Sequence, residues 1–249
     1  MIPNNNIEPA ELAAVSASRS FPATRRIEPA PPRTDCPAAR LQRRIGLANQ
    51  TLVLLCLLPL LMLSFRYAGK GLGPNPVETL AGDTGAWALR LLWISLAVSP
   101  LRQLTGWHWL VRLRRVPALF GFFYAGLHLL VYLVFEQEFD AAGVFDDISD
   151  RPYILAGFAA FLCLTPLAIT STDAMIKRLG GRKWRTLHRL SYAAAILAAL
   201  HFLLLVKRDI TEPAIYIALL GALFLARLRK HPARARLALV RPPPVVDNS

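Results

Sequence analysis

Six apolar runs separated by polar blocks constrain this 249-residue chain more than any other feature. They fall at about 46–65, 86–104, 118–136, 153–171, 188–206 and 213–228. At a helical rise of about 1.5 Å per residue, runs of this length cross a hydrocarbon layer about 30 Å thick. Residues that alternate in the manner of a membrane barrel strand are missing, so helices must satisfy the backbone inside the bilayer. The fold class expected is therefore all-α: a polytopic membrane bundle of six transmembrane helices. Pro213 suits the first turn of the last helix, where no amide donor is needed. Arg90 lies near one end of the second run and can snorkel to the interface.

A net charge of +13 would suggest nucleic acid in a soluble protein, but its distribution points elsewhere. The N-terminal arm carries seven Lys and Arg, the 102–117 side of the second connection four, the stretch 172–189 six, and the tail from Arg227 six. Alternate connections thus hold 23 of the 29 basic residues. Positive charge gathered on one side places both termini in the cytoplasm, and no nucleic-acid partner is expected. The intervening connections are acidic, above all EQEFDAAGVFDDISD (136–150) with six carboxylates, read as a solvated outer loop.

Three regions follow: a disordered basic arm at 1–44, a six-helix membrane domain at 45–230, and a disordered tail at 231–249. Arg43-Arg44 precedes the first run, but no small-residue cleavage site follows it, so a retained first span is expected. Cys56 and Cys163 lie in apolar runs and Cys36 in the arm, with no metal-ligand spacing and no disulfide framework. GLGPNP (71–76) reads as an outer turn, because GLG there lacks the strand–turn–helix setting of a dinucleotide loop. Internal repeats are not evident.

The candidate chemistry lies in the histidines. His108, in WHW, fits an interfacial aromatic cluster, and His231 belongs to the basic tail. His128 falls about ten residues into the third run and His201 about fourteen into the fifth. Because both runs cross outward, the two lie at depths differing by about 5 Å. His188 lies at the inner end of the fifth run. Thirteen residues separate it from His201, about 20 Å along a helix with a rotation of about 140°. One site cannot take both.

An intramembrane imidazole is costly unless it is paired. His128 and His201 could each bond a neighbouring helix and do nothing more. They could serve a proton relay, although no apolar run holds an Asp or Glu well inside it. They could also ligate one haem from two helices, with room supplied by AAAILAAL (193–200) and AGL (125–127). Zinc would want a third and fourth ligand. A haem with both axial positions filled carries electrons and does not readily bind oxygen.

Three blocks carry a specific resemblance: GLGPNPVETLAGDTGAWAL (71–89), RRVPALFGFFYAGLHLLVYL (114–133) and the long stretch 151–207 from RPYILAGF to HFLLLVK. Over about 45–230 the chain resembles the MsrQ (YedZ) family, the haem-binding membrane subunit of the bacterial periplasmic methionine sulfoxide reductase (MsrPQ) system, within the ferric-reductase-like transmembrane group. The resemblance implies a multi-pass b-type cytochrome of the bacterial inner membrane. Such a subunit passes electrons from the quinone pool to a periplasmic molybdopterin-containing methionine sulfoxide reductase, and is not itself the catalytic subunit. The family's histidines fall on His128, His188 and His201. The first and last are expected as axial ligands of haem iron. His188 is expected to take a second haem, to sit near a quinone or to orient a neighbour, so that haem b is bound once or twice.

FMN and a cytosolic flavin reductase as alternative electron source belong to the same expectation. The basic connection TSTDAMIKRLGGRKWRTLHR (170–189) has lysines and arginines for a phosphate and Trp184 for stacking. A short helix is expected in it, capped by Ser171 or Thr172 and stopped at Gly180-Gly181. Two other readings are a stand-alone ferric or cupric reductase-like transmembrane cytochrome b, and a transporter or assembly factor with structural histidines.

Overall fold

In a computed structural model the described residues are 37–69, 71, 73–206 and 210–228. They contain helices and no strand. Most of the expected arm and the whole expected tail lie outside them, as does His231. Contacts divide the chain into Met1–Leu41 and Gln42–Ser249; the helices that build the site belong to the second unit.

Helix α1 is Pro37–Ala68 and α2 is Pro76–Thr105. Asn75 caps α2, its side chain accepting from the Glu78 amide and donating to the Glu78 carboxylate, with Pro76 in the first turn. Gly106, at φ 72°, closes α2 in the left-handed conformation. A short helix α3, Leu110–Leu113, leads into α4, Arg115–Val131, whose last turn widens to a π-turn at Tyr132–Glu136. There follow α5 (Ala141–Asp150), α6 (Pro152–Ile169), α7 (Asp173–Leu179), α8 (Gly181–Leu187), α9 (Leu190–Leu205) and α10 (Thr211–Leu228).

Among the described residues five segments are long and apolar enough to cross a membrane: Ala39–Ala68, Pro76–Thr105, Leu110–Glu136, Pro152–Ile169 and Gly181–Leu205. The sixth expected run corresponds to helix α10, Thr211–Leu228. Large apolar side chains stand outward, among them Leu54, Phe65, Leu162 and Leu225. In water such a surface would invite association; against lipid tails it costs nothing.

Packing is led by two helix pairs, α2 with α4 and α6 with α9. Gly121 lets α4 approach α2 closely, since a methyl group there would meet the Leu92 amide at 3.3 Å and the Ala88 carbonyl at 3.4 Å. Between the pairs lies a core of Leu89, Leu92, Trp93 and Leu96 from α2 with Ala195 and Ala199 from α9 and Leu220 from α10. The Trp93 indole donates to the Tyr216 carbonyl, tying α2 to α10.

One expectation changes in part. The outer stretch 136–150 is largely exposed, as expected, but 141–150 is helical and not a loop. Asp140 caps α5, and Asp147 accepts from the Tyr132 hydroxyl at 3.0 Å and the Gln137 amide at 2.5 Å while pairing with Arg151. The Arg90 side chain is exposed. Its guanidinium donates to the Tyr216 hydroxyl and lies over the Trp87 ring.

Candidate functional site

His128 projects from α4 and His201 from α9, one from each helix pair. Their ring centroids are 6.0 Å apart with planes at 75°. The Nδ1 atom of His128 lies 2.9 Å from the Ala81 carbonyl on α2, and that of His201 lies 2.6 Å from the Tyr153 carbonyl on α6. A carbonyl only accepts, so each Nδ1 must carry the proton. That selects the tautomer whose Nε2 keeps a free lone pair. Such an orienting bond is what a metal-binding imidazole requires.

The pair fits haem iron by its chemistry. A metal–imidazole bond is about 2 Å, and the ring centre lies about 1 Å beyond the nitrogen, so two imidazoles sharing one metal stand on the order of 6 Å apart. The observed separation matches. Among the described residues no group of three His, Cys, Asp or Glu could hold a metal. A bare ion would lack ligands here, whereas a porphyrin brings its own equatorial nitrogens.

Elements around the pair hold it rigidly. One turn before His128, Tyr124 is 1% exposed, and its hydroxyl donates to the Cys56 carbonyl at 2.8 Å and accepts from the Leu60 amide at 3.0 Å. Those two groups would ordinarily bond each other in α1, but Pro59 lies between them. The tyrosine bridges the opened turn and anchors α4 to α1. Beyond His128, Tyr132 is held by Asp147.

His188 belongs elsewhere. Its Nε2 lies 3.2 Å from the Thr170 hydroxyl, and its ring stacks on Trp184 at a centroid distance of 3.9 Å. The Trp184 indole donates to the Thr170 carbonyl. Thr170 ends α6, Trp184 lies on α8 and His188 ends α8, with α7 between. Thr172 caps α7 and Gly180, at φ 75°, ends it, as the sequence leads one to expect; α8 then begins at once. Arg115 of α4 pairs with Asp173 at 2.5 Å and, with Lys177, holds the Asp173 carboxyl below the usual carboxylate range. His108 is exposed between Trp107 and Trp109, which stack on each other.

The structure thus brings His128 and His201 together and sets His188 apart, as the sequence leads one to expect, but the groups that support them are not read from the sequence. Of the alanines of 193–200, Ala195 and Ala199 are buried in the core against α2. The rings themselves lie against Gly85 and Gly157. Their only signal in the sequence is a glycine at the edge of one apolar run, in GDTGAW (82–87), and near the start of another, in YILAGF (153–158).

Comparison with known proteins bears on this arrangement. Residues 84–199 match the family described as ferric reductase like transmembrane component. That segment takes in Gly85, His128, Gly157 and His188 and stops two residues short of His201. The chain is 46% identical over 188 residues to the protein-methionine-sulfoxide reductase heme-binding subunit MsrQ of Rhodospirillum rubrum, covering 76% of this chain and 90% of that protein. It is 46% identical over 182 residues to the MsrQ of Azospira oryzae, covering 73% and 78%. Against the MsrQ of Xanthomonas euvesicatoria it is 44% identical over 207 residues, covering 80% and 94%.

Proposed function

The chain belongs to the family of MsrQ, the heme-binding subunit of protein-methionine-sulfoxide reductase, and from that premise we propose that it is the haem b subunit that carries electrons across the bacterial inner membrane. The donor is the quinone pool, with a cytosolic flavin reductase as a second source. The acceptor is a periplasmic molybdopterin-containing methionine sulfoxide reductase, which repairs oxidised proteins. His128 and His201 would hold the haem iron. The observation that carries this reading is the facing pair at 6.0 Å, each Nδ1 tied to a carbonyl of the preceding span.

When bound, the haem supplies a one-electron centre. The protein's residues do the rest. The Ala81 and Tyr153 carbonyls hold the proton on Nδ1, so the Nε2 lone pairs are the ones left for metal. With both imidazoles on the iron no position would be left open for oxygen chemistry, which would favour electron transfer alone. Sulfoxide chemistry is left to the partner.

The topology proposed is six spans, α10 being the sixth, with 45–230 as the membrane domain and both termini cytoplasmic. Charge asymmetry supports it. His188 then lies toward the cytoplasmic face and the facing pair toward the periplasmic half. His188, Trp184 and the basic side chains of 177–189 form the inner cluster, with the groups to take FMN or a second haem there: an imidazole, a stacking ring and cations for phosphate or propionate.

A stand-alone ferric or cupric reductase would show a similar absorbance spectrum. Dependence of turnover on the purified molybdopterin partner separates the two readings. The ligand assignment is tested by reduced-minus-oxidised spectra of purified His128→Ala and His201→Ala proteins with pyridine haemochrome stoichiometry. Loss of the low-spin spectrum is expected in each; a normal low-spin haem in both would overturn it.

A further inference from the structure

We infer that Gly85 and Gly157 are positioning residues for the two imidazoles, each setting how closely a histidine ring lies on the helix that accepts its Nδ1–H bond. The inference rests on His128 and His201 being the haem ligands.

The two half-sites repeat one pattern. The carbonyl of Ala81 meets His128 across 47 residues, and the carbonyl of Tyr153 meets His201 across 48. Four residues after each carbonyl, one turn along the same helix, comes a glycine: Gly85 on α2 and Gly157 on α6. A methyl group at Gly85 would lie 3.1 Å from Nδ1 and 3.2 Å from Cε1 of His128. At Gly157 it would lie 2.7 Å from Nδ1 and 3.0 Å from Cε1 of His201. The contacted atoms are those of the orienting bond, and each ring is confined between that bond and the glycine.

Glycine is disfavoured inside helices relative to alanine. Two other glycines of these spans, Gly82 on α2 and Gly126 on α4, meet nothing within 4 Å. A need for thin helices in general therefore does not explain the pair. Gly85 and Gly157 stand where the ring would otherwise be displaced from its carbonyl. Displacement lengthens the Nδ1–H bond, lowers the basicity of Nε2 and weakens its donation to oxidised iron. The haem is then easier to reduce.

The experiment uses full-length holoprotein in detergent, comparing Gly85→Ala, Gly157→Ala and the controls Gly82→Ala and Gly221→Ala, at two glycines that meet nothing within 4 Å. The readouts are the g-values of the low-spin ferric signal and the midpoint potential. The g-values are expected to shift and the potential to rise in Gly85→Ala and more so in Gly157→Ala, following 3.1 Å against 2.7 Å, with both controls matching wild type. Should Gly157→Ala fail to accumulate, Gly85→Ala decides alone, because its contact is relieved by a movement of a few tenths of an ångström. Potentials and g-values of both variants equal to the controls would overturn the inference. If His128→Ala and His201→Ala keep the wild-type signal, the ligand assignment itself has failed. If they lose it while the glycine variants stay unchanged, only the role of the glycines falls.

Discussion

Tyr124 and His128 lie one turn apart on α4 and bond two different helices: the tyrosine hydroxyl bridges Cys56 and Leu60 of α1, and the imidazole meets Ala81 of α2. The ligand face of α4 is thus fixed at two successive turns. The first contact repairs the helix opened at Pro59, and the second selects the tautomer.

Tyr124→Phe keeps the ring and removes the bridge. The Leu60 amide and Cys56 carbonyl are left unpaired in a buried setting, a cost of about 1–3 kcal/mol. The variant is expected to bind haem with an unchanged absorbance spectrum but to lose it at a lower temperature. Thermal release followed by Soret absorbance checks this. A release curve superimposed on that of wild type would show that α1 closes the turn without help.

His201→Ala and His128→Ala each leave a gap of imidazole shape opposite an intact partner ring. Added imidazole at millimolar concentration is expected to restore a six-coordinate low-spin spectrum in either variant, because the remaining histidine keeps its carbonyl bond. It should restore nothing in the double variant, where no protein ligand anchors the porphyrin. Optical titration of the detergent-solubilised proteins measures this. Equal rescue of the single and double variants would mean that the side chains do not serve as ligands.

Much of this site was legible before any coordinates. Apolar runs locate the spans because lipid forbids unpaired backbone, and a histidine inside such a run stands out because an imidazole there needs a partner. Depth counting then pairs His128 with His201 and sets His188 apart, as the ring contacts do. The supports were not legible. The accepting groups at Ala81 and Tyr153 are backbone carbonyls, which every residue has. Gly85 and Gly157 look like any small residue of a membrane helix until the facing ring is placed. Helix α5 was hidden because its acidic residues suggest solvation, whereas one of them, Asp147, accepts from both Tyr132 and Gln137. The repeated pattern escaped notice for the same reason: it lies in carbonyl, glycine and histidine spacing, not in similar residues.

Arg115 and Asp173 join α4 to the start of α7. The Asp173 carboxyl is held below its ordinary range by the hydrogen bond and charge of Arg115 and by Lys177. A depressed pKa contributes stability that is complete above the unfolded value of about 3.9 and disappears as pH falls through the folded one. Both side chains are exposed, so the contribution is small and salt-sensitive. Wild type is expected to melt slightly above Asp173→Asn at pH 6 in low salt. The gap should close as pH falls below the ordinary carboxylate value, and also in molar salt at pH 6. A gap that persists unchanged at pH 3 would assign the effect to something other than this ion pair.

His188 tests whether two depths are separate in practice. Thr170 holds the inner cluster twice, its hydroxyl at His188 Nε2 and its carbonyl taking the Trp184 indole proton. None of these contacts reaches His201, which bonds Tyr153 at the other end of α6. In His188→Ala, the low-spin ferric signal that disappears in His128→Ala is therefore expected to remain, with the same g-values. Reduction by a quinol analogue should slow at least several-fold, while dithionite, which needs no entry site, should still reduce the haem of the facing pair fully. Paramagnetic resonance and stopped-flow absorbance on one preparation give both answers. Loss of the His128-dependent signal in His188→Ala would mean that the inner cluster shapes the outer pair, and the two sites would have to be treated as one.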